Sequence, residues 1–182
     1  MRCFAVLMIP IVAAVSGCVG PIETRIQTQA GPALPTKKIY SFTARPEQNS
    51  PAYQTARKIV AGVLESKNFV ATEDAPIRVH IALANRPASI AMTTGENDKL
   101  NVIAEKKKRK LLQSCDDREH RLTITMVNIL DGSAYYSGTA AEYHCKGSLE
   151  QSLPHLVDAA LSDLGKIDKP MNIKTRTRSG IE

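Results

Sequence analysis

With 182 residues, 43% of them hydrophobic, the chain is long enough for one domain of ordinary size; 4% aromatics and no tryptophan leave an aliphatic core as the means of building it. The formal charge of +6 suits anionic lipid head groups, lipopolysaccharide, acidic glycans or nucleic acid equally. An export signal at the start of the chain removes nucleic acid from that set, because an exported protein rarely meets it.

Arg2 supplies a positive n-region, and Cys3 to Val15 is an apolar run of 13 residues. That is the length of a signal-peptide core and short of the roughly 20 residues that cross a bilayer. The run ends in Val15-Ser16-Gly17-Cys18, which resembles the lipobox of bacterial lipoproteins. The resemblance implies cleavage after residue 17, a diacylglyceryl thioether on Cys18 and acylation, such as palmitate, of the new amine. Two or three acyl chains hold a protein stably at a membrane without spanning it. Val19 stands where an inner-membrane retention signal usually carries Asp, so the resemblance favours the outer membrane, periplasmic face.

Residues 18–36 are expected to be the lipidated N-terminus and a tether, since Val19 to Pro35 holds three prolines and two glycines among mostly polar residues. Ile22, Thr24, Ile26 and Thr28 alternate with polar neighbours and could instead form an edge strand. A domain follows over 37–165. Lys38 to Phe42 reads as a short strand. Ser50-Pro51 is a helix start, a capping hydroxyl followed by a proline whose missing N–H costs nothing in the first turn. Ala52, Ala56, Ile59, Val60 and Val63 follow at helical spacing, and Asn68 suits the left-handed residue that ends a helix.

Ile77 to Asn85 alternates as a half-buried strand. Leu122 to Leu130 and Ala134 to His144 flank Asp131-Gly132, a pair that favours a two-residue hairpin turn. Leu153, Leu156, Val157, Ala160, Leu161 and Leu164 form an apolar helical stripe closed by Gly165; Pro154 suggests a start near Ser152. Residues 166–182 are polar and basic without periodicity and are expected to be a disordered tail. The fold class is therefore expected to be α+β: about four antiparallel strands with two helices packed on one face, in the order βαβββα.

The segments Lys38 to Phe42, Ala52 to Phe69 and Ile77 to Arg86, with the hairpin around Asp131-Gly132 and Gly138 in its return strand, resemble proteobacterial envelope lipoproteins carrying a domain of unknown function. The plan also resembles, less closely, the lipopolysaccharide-assembly lipoprotein that plugs its barrel partner. Neither likeness brings a catalytic motif.

With Cys3 removed and Cys18 lipidated, Cys115 and Cys145 remain. If Leu130 faces Ser133 across the turn, Cys145 lies opposite Arg118, close enough to Cys115 for a disulfide in an oxidising periplasm. His120 and His144 come nearly opposite in that register, so zinc on two Cys and two His is the competing reading; adjacent His144 and Cys145 point to opposite faces, which weighs against it, and no metal site is expected. Lys106, Lys107, Lys108, Arg109 and Lys110 could contact phosphates of lipid A or anionic lipids, or form a solvated loop, or the basic side of an amphipathic helix with Leu100, Ile103, Ala104 and Leu111. Asp116, Asp117 and Glu119 beside His120 invite an acid–base reading, but no paired nucleophile accompanies them. Tyr135, Tyr136 and Tyr143 are expected to pack within the sheet. The residues together predict a non-enzymatic, lipid-anchored envelope protein, an interaction or envelope-maintenance module. It needs no cofactor beyond its lipid and no nucleic acid; its partners are the membrane and an envelope protein or lipopolysaccharide. The alternative is a lipopolysaccharide- or lipid-handling outer-membrane assembly factor.

Overall fold

The computed structural model describes residues 21–32, 35–43, 49–94, 101–104, 106–107, 115–167 and 170–179. Cys18, the apolar run before it, and Lys108 to Lys110 lie outside the described residues. In chain order the elements are β1 (Ile22–Ala30), β2 (Ile39–Phe42), α1 (Pro51–Ser66), β3 (Val70–Ala71), β4 (Ile77–Pro87), β5 (Met92–Thr94), β6 (Asn101–Ala104), β7 (Arg118–Asn128), β8 (Ala134–His144), α2 (Leu149–Ala160) and β9 (Asn172–Arg178).

Seven strands form one mixed sheet in the order β3-β2-β4-β7-β8-β1-β9, and β5 and β6 pair separately. This replaces the expected four-stranded antiparallel sheet with helices on one face. Two causes account for the difference. The chain leaves β2 through α1 and must travel back along the helix before it can pair again, so β2 runs parallel to both β3 and β4. The presumed tether and tail are also strands. β1 lies between β8 and β9, not at an edge, and Asn172–Arg178 of the expected disordered tail forms the edge strand β9.

β1 buries every second residue, Ile22, Thr24, Ile26, Thr28 and Ala30, a pattern of period two that fits a strand with one covered side. The same side of β4, β7 and β8 contributes Ile77, Val79, Ile81, Leu122, Ile124, Met126, Tyr136 and Ala140. Against them pack Tyr53, Ala56, Val60 and Leu64 of α1 and Leu153, Leu156 and Val157 of α2. Each fully buried Leu or Ile contributes about 1.5–3 kcal/mol, so an aliphatic core suffices without tryptophan.

Helix α1 begins as its sequence dictates: the Ser50 side chain accepts a hydrogen bond from the Tyr53 N–H, and Asn68 turns the chain with φ of 64°. Helix α2 starts earlier than expected, because Ser148 and Gln151 form a reciprocal capping box one turn before Ser152. Pro154 consequently sits inside the helix. The β7–β8 connection is Ile129 to Ser133, not a two-residue turn: Gly132 takes φ of 73°, and Asp131 Oδ1 accepts from the Ser133 N–H at 2.8 Å and its hydroxyl at 2.7 Å. A bulge between Met126 and Val127 then shifts the register, so Arg118 pairs with His144. Asn101 to Ala104 is a strand, which removes the helix suggested for the basic segment.

Candidate functional site

The two remaining cysteines meet. Cys115 and Cys145 form a disulfide with Cα atoms 5.6 Å apart, tying the start of β7 to the end of β8. Cys145 follows His144, the partner of Arg118, so it lies one position further out than the expected pairing with Arg118 itself. The bond takes both sulfurs that a zinc site would have needed.

His120 and His144 do come together, their rings edge to face at 4.4 Å. Between them lies Ser152 of α2, whose Oγ is 2.9 Å from His120 Nδ1 and 2.9 Å from His144 Nε2. His144 Nδ1 reaches the Lys146 carbonyl, which can only accept, so that nitrogen carries the proton. Ser152 Oγ, which also donates to the Ser148 carbonyl at 3.4 Å, thus bridges the two rings. Burial, and next the neighbouring His144, push His120 down to about 4, so the His120 ring is held neutral. A serine aimed at an imidazole is half of an acyl-transfer arrangement. Here Ser152 is fully buried beneath its own helix, with an imidazole on either side, and the group serves to fix α2 on the sheet.

The residues that continue this polar flank carry no motif in the sequence. Glu142 is fully buried and accepts from Thr24 Oγ1 at 2.8 Å, Arg178 Nε at 3.0 Å and Arg178 Nη2 at 2.6 Å. Burial pushes its carboxyl up, but the bonds from Arg178 and Thr24 outweigh that and hold it below the usual carboxylate range. Asp163 accepts from Thr28 at 2.6 Å, Lys166 at 2.6 Å, Asn172 at 3.1 Å and Lys174 at 3.1 Å. Burial again opposes ionisation, and these donors overcome it, placing Asp163 far below the usual range. Arg176 meets Asp158 at 2.9 Å. The polar residues at every second position of β9 therefore all meet acids, Asn172 and Lys174 at Asp163, Arg176 at Asp158 and Arg178 at Glu142. The basic tail is charge-paired to the domain.

The acids beside His120 are drawn apart by the strand. Glu119 points to the opposite face, buried in ion pairs with Arg86 and Arg121. Asp117 pairs with Lys107 at 3.0 Å. Of the basic run, Lys106 is exposed, whereas Lys107 is tied down: its N–H bonds the Ala88 carbonyl at 2.7 Å and its ammonium lies 5.1 Å from the Tyr143 ring centre. Tyr143 also receives Arg25 at 5.3 Å. Tyr136 is buried and donates to the Ala160 carbonyl at 2.6 Å, and Tyr135 is half-buried.

An open cleft of about 360 Å³ lies at the other end of the sheet, by β2 and β3. Arg57 covers the Phe42 ring at 4.9 Å and Arg78 bonds Ser41, so Arg57, Arg78, Glu73 and the aromatic residues Tyr40 and Phe42 line it. Among the described residues, no helix is long and apolar enough to cross a membrane.

No protein-family profile and no curated protein sequence matches the chain. Among solved structures, a PDZ domain protein from Parabacteroides distasonis is similar over 88% of this chain, with 12% identity and a TM-score of 0.55; the chain spans about 40% of that protein's length. A PelC dodecamer from Paraburkholderia phytofirmans is similar over 80% of this chain and 99% of its own, with 14% identity and a TM-score of 0.47. At such identities the likeness to the first concerns the fold alone.

Proposed function

We propose that the chain is a lipid-anchored envelope protein: exported, cut before Cys18, acylated there and held on the periplasmic face of the outer membrane as a non-enzymatic interaction or envelope-maintenance module. The observation that carries the reading is the succession Val15-Ser16-Gly17-Cys18 after an n-region and an apolar run. The Cys115–Cys145 disulfide supports it, since such bonds persist in the periplasm and are rare in the reducing cytosol. So does the start of β1 at Ile22, which leaves three residues between anchor and sheet.

The non-enzymatic part of the reading draws on Ser152, His120 and His144 being closed to substrate, and on acids that pair with arginines and lysines instead of converging on a cleft. The test is intact-mass analysis of the protein extracted from envelopes. The mature chain beginning at Cys18 with added acyl mass is expected, and Cys18→Ser should release the domain from the membrane fraction. A membrane-extracted chain without acyl mass, or with residues 1–17 still attached, refutes the reading.

A further inference from the structure

Five strand ends lie level in the sheet. Pro87 pairs with Arg118, Arg118 with His144, and Ile22 with Arg178, while Thr24 opposite Glu142 brings Ile22 level with His144. The strand that follows Cys18 therefore enters the sheet in the same row where β4 leaves, β7 enters, and β8 and β9 end. Only Val19, Gly20 and Pro21 intervene, so Ile22 lies at most about 14 Å from Cys18 along a fully extended chain. The hairpin tip at Leu130 lies beyond the far end of β7, whose 11 residues span about 35 Å.

The tip exposes Ile129 and Leu130 beside the acid Asp131, whereas this row sets its apolar side chain among basic ones. Ile90 is 55% exposed, in a turn whose N–H bonds the Pro87 carbonyl and whose carbonyl accepts from Arg86. Around that end of the sheet stand exposed Lys106, Lys146 and Arg118, the last bonded to Asn85, with Lys107 pinned to Ala88 beside them; among the described residues the exposed acids there are Asp116, Glu150 and Glu23. An apolar side chain fringed by lysine and arginine is the chemistry that settles at an anionic bilayer surface.

From this geometry we infer that the row Pro87, Arg118, His144, Ile22 and Arg178 is the end of the domain presented to the bilayer, with Ile90 at the head groups and Lys106, Arg118 and Lys146 over their phosphates. The hairpin tip and the Arg57–Arg78 cleft then face away, toward envelope partners. The inference rests on the anchoring at Cys18 proposed above.

The absence of tryptophan gives a silent background. Ile90→Trp and Leu130→Trp each place one reporter at an exposed position, Leu130 being 81% exposed, so neither disturbs the core. Both are made in the full acylated chain and reconstituted in phosphatidylglycerol-containing vesicles with brominated acyl chains. Ile90→Trp should be quenched and blue-shifted and Leu130→Trp should be neither. Adding Lys106→Glu and Lys146→Glu should cut the Ile90→Trp quenching several-fold while the protein still floats with the vesicles. Equal quenching at the two sites, stronger quenching at Leu130→Trp, or no response to the charge reversals overturns the orientation in a chain that floats and carries acyl mass. A chain that carries no acyl mass and does not float refutes the anchoring, and the orientation falls with it.

Discussion

Replacing Cys145 with serine, paired with Cys115→Ser to avoid a stray thiol, opens a cross-link between positions 30 residues apart. The loop-entropy relation gives about 3.7 kcal/mol at 25 °C for a loop of this length, lost because the unfolded chain regains conformations that the bond had removed. For a domain of this size, 1 kcal/mol lowers Tm by roughly 2–4 °C, so a fall of roughly 7–15 °C is expected. The loss should be felt mainly at the end of the sheet where His120, His144 and Ser152 hold α2, since His120 closely follows Cys115 while His144 directly precedes and Ser152 closely follows Cys145. Thermal melting followed by circular dichroism, with and without reductant, makes the measurement: the double variant should melt at the lower temperature in both conditions, and the wild type should join it on reduction. Coincident melting of oxidised wild type and double variant, or two alkylatable thiols in the unreduced mature protein, refutes the reasoning.

Gly138→Ala should destabilise by about 2–4 kcal/mol in urea titration, because a Cβ there meets the Ala160 carbonyl oxygen at 2.0 Å and forces α2 off the bond from Tyr136; a variant as stable as wild type refutes the close approach. Arg178→Ala leaves Glu142 buried without its main partner and should cost about 3 kcal/mol, with Glu142→Gln recovering part of that loss in the double variant; a loss below about 0.5 kcal/mol would place Arg178 outside the domain, as a disordered tail requires. His120 keeps its neutral form in the fold down to about 4 while the unfolded chain takes up the proton from about 6.5, so its contribution is intact above pH 6.5 and is lost as pH falls toward 4, a change of roughly 3 kcal/mol. Urea midpoints across that range should show the decline, and His120→Asn should flatten it; Glu142 and Asp163, both held below their ordinary values, add a loss of the same sign at lower pH.

The candidate site was legible in part. The disulfide followed from elimination and from the export that the lipobox-like start implies, both read locally in the chain. The cluster of Glu142, Arg178, Thr24 and Ser152 was not, because each is an ordinary polar residue until folding brings it to the others; Thr24 and Glu142 are 118 positions apart. One signal was available: Asn172, Lys174, Arg176 and Arg178 alternate with Ile173, Thr175 and Thr177, the period of a strand, but the basic side reads as solvated unless buried acids are known to await it.

What the sequence by itself determined are the features set by neighbours along the chain. The capped start and left-handed end of α1, the stripe Leu153, Leu156, Val157 and Ala160 of α2, the alternation of β4 and the bounds of β8 depend on interactions within a few residues, and they stand in the structure as read; Leu161 and Leu164 lie past the end of α2 at Ala160, so Gly165 does not close that helix. Only the tertiary structure decided that β1 and β9 belong to the sheet, that β2 runs parallel to its neighbours, and that most of the positive charge near the C-terminus is paired. Those outcomes rest on pairing partners more than a hundred residues away for β1, and on where a helix returns the chain for β2. Burying a carboxylate is favourable only once an arginine or lysine has been brought beside it, and that arrangement exists only in the folded chain.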